Sequence, residues 1–212
     1  SSDVCSSDLL VLEERCVVYG GVLDPDGKPV SRALVAVWLT DGSWRDARMG
    51  HTDAWGRFKI AGCESGKSTF MIRAQGWAPQ LQHGEVVKRG PGSTFTLEPG
   101  QPLRMRVVDA AGEPLPGAWI AVDSWRGIAG LLDWQAFANQ SGEAVWEDAP
   151  REGLSLVAEA AGAPPSTVKI PRVTGEVYTL RIGSTTRIRG RVVAEEDDVP
   201  IPVFEVIPGI RH

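Results

Sequence analysis

His51 and Asp53 stand two residues apart, the spacing at which an acid and a base can pair. Catalysis by such a pair needs a nucleophile or a second base nearby, and the sequence fixes neither. The pair therefore reads as a turn, with Asp53 bonding the backbone that follows it. Ser65-Gly66-Lys67-Ser68 carries the Gly-Lys-Ser of a phosphate loop, but Ala61 stands where that loop needs its first Gly. The segment also joins strand to strand, so a turn is expected there too. Asp24 and Asp26 could begin a calcium loop, yet the spacing stops after two carboxylates and lacks the bidentate Glu. A nucleophile elbow, Gly-x-Ser-x-Gly, occurs nowhere in the sequence. The histidines are His51, His83 and His212, with no His-x-x-Glu among them, which argues against zinc catalysis. No catalytic, cofactor-binding or metal-ligating residue is expected, and the chain is read as a non-enzyme.

Two residue types remain that could bond or bind. Cys16 falls on the first expected strand and Cys63 in a turn of the same unit, so a disulfide between them and two separate buried thiols both stay open. Eight tryptophans are the unusual feature of the composition, because aromatic rings stack on sugars and anchor protein partners. Trp55, Trp77 and Trp146 lie at turns or strand ends and are expected to plug the ends of a core. Trp38 and Trp119 alternate out of phase with the core aliphatics. Trp44, Trp125 and Trp134 lie in the segment after the second strand of each unit. They are the aromatics expected to be partly exposed, with packing between units or at a core edge as the favoured reading and contact with a ligand or partner as the alternative.

The elements that position these residues are written twice. Val22-Leu23-Asp24-Pro25-Asp26-Gly27-Lys28-Pro29-Val30 recurs as Val107-Val108-Asp109-Ala110-Ala111-Gly112-Glu113-Pro114-Leu115, 85 residues later. Asp, Gly and Pro are turn residues, and the stretch is read as a hairpin that opens each unit. Gly56 and Gly142 stand 86 residues apart, as do Pro79 and Pro165. Order and spacing together indicate duplication. In the first unit, strands are expected over 16–23, 33–40, 57–60, 69–74, 85–88 and 93–97, each bounded by turn residues. Residues 131–137 could be helix or strand, and their place in the repeat favours strand.

The units are placed at 10–99 and 100–182, joined by a stiff linker, Glu98-Pro99-Gly100-Gln101-Pro102. A partial third repeat is placed at 183–212, where Arg189-Gly190-Arg191-Val192-Val193 begins the pattern again. Residues 1–9 resemble translated sequencing-adapter DNA and are treated as a non-native segment, Cys5 included. The formal net charge of -5 comes from 27 acidic and 22 basic residues without a basic stripe, so nucleic acid is not an expected partner. No apolar run is long enough to span a membrane as a helix.

Taken in order, Asp24 to Ala33, then Thr52-Asp53-Ala54-Trp55-Gly56-Arg57-Phe58, then Gly76-Trp77-Ala78-Pro79 resemble the carboxypeptidase regulatory-like domain. Val107 to Ala118 with Gly142 and Gly162 carry the likeness in the second unit, where Asn139-Gln140 departs from Thr-Asp. The resemblance implies an all-β fold: tandem seven-stranded transthyretin-like β-sandwiches plus a truncated third copy. It marks Asp24, Asp26, Gly27, Pro29, Asp53, Gly56, Gly112, Pro114 and Gly142 as structural turn positions. It further implies a non-catalytic spacer or presenting module of a larger extracytoplasmic bacterial protein. Its partners would be other domains of that parent, and protein or glycan ligands. The alternative is a carbohydrate-binding accessory to a hydrolase that uses the loop tryptophans. Tryptophans aligned on one open face would favour the accessory, and tryptophans buried between units the spacer. Related collagen-adhesin repeats carry Lys-Asn cross-links, but neither opening strand here holds a Lys, so none is expected.

Overall fold

A computed structural model describes residues 15–183 and Val193. Expectations for residues 1–9 and for a third repeat over 183–212 therefore fall outside the described residues, Gly183 and Val193 excepted. The first sandwich uses β1 (Cys16–Leu23), β2 (Leu34–Leu39), β3 (Arg48–His51), β4 (Arg57–Cys63), β5 (Gly66–Arg73), β6 (Gln80–Val86) and β7 (Ser93–Thr96). They form a three-stranded sheet, β4-β1-β7, and a four-stranded sheet, β3-β2-β5-β6. Alternation selects the inner faces. Val18, Val22, Phe58, Ile60 and Phe95 from one sheet meet Val35, Val37, Phe70 and Ile72 from the other in a single buried cluster.

The second sandwich repeats this plan with β8 (Gln101–Val108), β9 (Trp119–Trp125), β10 (Ile128–Ala129), β11 (Gln135–Phe137), β12 (Glu143–Ala149), β13 (Glu152–Glu159), β14 (Ser166–Arg172) and β15 (Val177–Arg181). Its sheets run β12-β8-β15 and β10-β9-β13-β14, with β11 also on β9. β15 lies parallel to β8 as β7 lies parallel to β1. The fold is all-β, in tandem sandwiches. One edge differs between the copies, since two short pieces, β10 and β11, replace β3. Between them Leu131 and Leu132 leave the ladder and are buried. The strand expected over 131–137 thus forms only at Gln135–Phe137. The expected strand at 85–88 is displaced too, because β6 ends at Val86, and β3 had no counterpart in the expected set.

The repeated opening stretch is not a hairpin. β1 pairs with β4 and β7, whereas β2 pairs with β3 and β5 in the opposite sheet. The turn closes a single bridge, Leu23 to Pro29, and the second copy closes Val108 to Pro114. Proline has no N–H with which to continue a ladder, so the chain crosses to the other sheet. The turn chemistry itself is as read. Asp24 Oδ1 accepts from the Asp26 and Lys28 amides at 2.9 and 2.8 Å, and Asp109 Oδ1 accepts from Glu113 at 2.9 Å. Asp53 Oδ1 accepts from Trp55 and Arg57 at 2.9 and 2.8 Å. Asn139 Oδ1 does the same for Ser141 and Glu143, both at 2.9 Å. Asn139 is therefore the counterpart of Asp53, one residue out of the alignment that set Asn139-Gln140 against Thr-Asp. Gly56 and Gly142 close these turns at φ +70 and +74, where a Cβ would lie 2.6 Å from Val22 O or 2.7 Å from Val107 O.

One sheet face sets up the rest. On β2, the four central residues Val35 to Trp38 are all buried, where a half-buried strand would alternate. Val35 and Val37 point into the first core. Ala36, Trp38 and Met71 join the second sandwich's cluster instead. The outer face of the first four-stranded sheet is thus covered by the second sandwich.

Candidate functional site: the joint between the sandwiches

Trp44 reaches across this joint from a 3-10 turn, Trp44–Asp46, whose N-cap Ser43 accepts from Arg45 N at 3.2 Å. Its indole Nε1 donates to Ala129 O at 3.0 Å. The acceptor belongs to the segment that replaces β3 in the second copy, so the two stretches that differ most between the copies touch each other.

Asp148 makes the second tie. Its Oδ1 accepts from Trp146 Nε1 at 2.8 Å and its Oδ2 from the Gly76 amide at 3.0 Å. One carboxylate thereby orients an indole of its own sandwich and holds a turn of the other. Trp146 is buried and stacks on half-buried Trp134, ring centroids 4.9 Å apart and planes 9° from parallel. Gly100 in the linker runs against the same carboxylate residue, where a Cβ would lie 2.4 Å from Asp148 Cα. Only glycine admits that approach. Ala78 N donates to Glu98 O at 3.0 Å and Trp77 bridges to Pro99, which pins the linker to the first sandwich.

Charge completes the contact. Arg73 Nη2 lies 2.7 Å from Asp133 Oδ1, and Arg151 Nε lies 3.2 Å from Glu98 Oε2. Asp133 and the Arg151–Glu98 pair are solvated, so these contacts orient more than they stabilise. Between the sandwiches lies an open cleft of about 420 Å³, lined by Arg32, His51 and Arg73 on one side and by Asp133, Trp134 and Asp148 on the other. Both carboxylates there already carry partners, Arg73 for Asp133 and Trp146 with Gly76 for Asp148. His51 faces the cleft, while Asp53 Oδ1 accepts from the Trp55 and Arg57 amides of its own turn.

Of the three tryptophans expected to be partly exposed, Trp44 and Trp134 are half-buried at the joint. Trp125 is a correction, being only 2% exposed, with Nε1 donating to Glu152 O at 3.0 Å. It stands at the end of β9, inside the cluster that spans the joint. Trp55 is a second correction. Expected as a plug, it is 67% exposed at the tip of the Asp53 turn, with the Arg57 guanidinium 5.1 Å from its ring centre. Trp38 does alternate out of the first core, onto the face that the second sandwich covers. Cys16 and Cys63 are buried and stand opposite each other on β1 and β4. Burial pushes the Cys63 thiol above its ordinary value of 9.0. Asp148, Asp133, Arg73 and Gly100 were not singled out in the sequence. Trp146-x-Asp148 and a glycine between two linker prolines were the legible traces of two of them.

The geometry defines a class: an all-β chain of tandem sandwiches with an interlocked joint. Neither a family model nor a curated protein matches it. Among solved structures, it is similar to a streptococcal ancillary pilin at 14% identity and TM-score 0.42, over 82% of this chain and 63% of that one. The shaft pilin SpaA of Lactobacillus rhamnosus GG matches at 10% identity and TM-score 0.35, over 83% of this chain and 100% of its own. Catechol 1,2-dioxygenase from Acinetobacter sp. ADP1 matches at 13% identity and TM-score 0.34, over 45% of this chain and 55% of its own. The chain spans less than two thirds of the ancillary pilin. Likeness of this size carries no argument about function.

Proposed function

We propose that this chain is a non-catalytic spacer: tandem carboxypeptidase regulatory-like sandwiches that hold a fixed angle within a larger extracytoplasmic bacterial protein. The observation that supports this reading is where the aromatic side chains are spent. Trp38, Trp44, Trp125, Trp134 and Trp146 belong to or pack on the cluster that spans the joint, rather than lining an open sheet face. A ligand platform needs exposed rings, while a stiff spacer needs a joint that does not bend. The segments that vary between copies are consumed in making that joint, so they serve the chain's own neighbour before any other partner.

The test is ¹⁵N relaxation of the whole chain. A spacer of this kind tumbles as one body, so residues 16–96 and 101–181 share a single rotational correlation time. Two separate correlation times, each near that of an isolated sandwich, would remove the support for a spacer.

A further inference from the structure

We propose that Cys16 and Cys63 form a cross-strand disulfide that staples β1 to β4 at the edge of the first core. Cys16 and Cys63 are direct partners in the antiparallel ladder. Residues opposite one another in such a ladder have Cα atoms about 4.5–5.5 Å apart, inside the range that a disulfide spans. Simple alternation would not place both sulfurs on one face. Phe58 and Ile60 point inward on β4, so residue 62 should follow them and Cys63 should point out. A register shift at this end of the ladder inserts one extra residue, with Gly62 at φ +77, and returns Cys63 to the buried face beside Cys16.

The second sandwich supplies an internal control. It keeps the same irregularity, between Trp146 and Ala149, and pairs Ala149 with Gln101 at the matching positions. The bulge therefore needs no cysteine, and packing there is met by alanine, fully buried. Cysteine stands at both facing positions in one copy and at neither in the other, the pattern of a bond and not of two independent small apolar residues.

The reaction is exchange with a small disulfide such as oxidised glutathione. One cysteine thiolate attacks the oxidant's S–S bond and releases one glutathione thiolate. The second cysteine thiolate then attacks the resulting mixed disulfide at the protein sulfur and releases the other. The protein loses two protons and two electrons, and one oxidant disulfide becomes two thiols. The bond closes a loop that holds β2, β3 and most of β1 and β4, which restricts the unfolded chain.

The experiment uses the full chain carrying Cys5→Ser, equilibrated with oxidised and reduced glutathione and then alkylated in denaturant. The expected result is a chain with no alkylatable thiol and a peptide map joining the Cys16 and Cys63 segments. Its thermal midpoint should exceed that of the reduced chain by about 10 °C. Cys16→Ser in the same background should abolish that difference while leaving the reduced chain's circular dichroism unchanged. Two alkylated thiols, or glutathione retained on either cysteine, would overturn the proposal, as would equal midpoints with and without reductant.

Discussion

Trp44 and Asp148 act at the joint through single polar atoms. Replacing Trp44 by Phe keeps most of the ring but removes the bond to Ala129 O, at a cost of about 1 kcal/mol. Replacing it by Ala also empties space against the second sandwich and should cost about 2–3 kcal/mol. Chemical denaturation of both variants checks the order. If Phe proved as damaging as Ala, the hydrogen bond and not the packing would carry the contact. Packing between units was the favoured reading for Trp44, but its acceptor and the part played by Asp148 were not legible, since a tryptophan in a variable loop looks the same in sequence whatever it meets. Trp55 shows the converse. Its turn was read correctly, but the direction of a ring at a turn tip depends on what stands above it, and there the ring meets the Arg57 guanidinium and solvent instead of a core.

At the level of elements, the Asx turns before β4 and β12 use Asp53 in one copy and Asn139 in the other for the same pair of backbone bonds. Asp53→Asn should therefore leave stability within about 0.5 kcal/mol, while Asp53→Ala should cost about 1 kcal/mol by freeing two amides. Thermal melts of the two variants decide this, and an equal loss in both would show that charge rather than geometry holds the turn. The turn residues were readable because their φ demands and side-chain bonds are local. Pairing was not. The opening stretch has the composition of a hairpin, yet its two strands enter different sheets, because β4 and β7 occupy both edges of β1 and no place remains for β2. β3 was missed for a related reason. Arg48-Met49-Gly50-His51 has no apolar alternation, and it becomes a strand only because β2 offers an open edge.

For the molecule as a whole, the joint sets the expected response to ligands. Trp125 and Trp146 are buried, and Trp44 and Trp134 are held by Ala129 and by the Trp146 ring, so in a Trp55→Phe background, which removes the exposed ring at the Asp53 turn, soluble glycans should leave tryptophan emission unchanged. A saturable shift in a fluorescence titration with a glycan panel, lost on Trp134→Ala, would replace the spacer reading by the carbohydrate-binding one.

Local and repeated features could be read from the residues alone. Turn chemistry at Asp24, Asp53, Gly56 and their counterparts, the all-β class and the period near 85 all follow from residue type and spacing. Which strands pair, that Cys16 faces Cys63, and that Trp44, Trp134 and Asp148 meet at the joint became visible in the folded chain. The physical reason is distance along the chain. A turn closes over four residues whose conformations their own side chains dictate. The joint brings together groups some 72 to 85 residues apart, whose meeting depends on where two finished sandwiches come to rest.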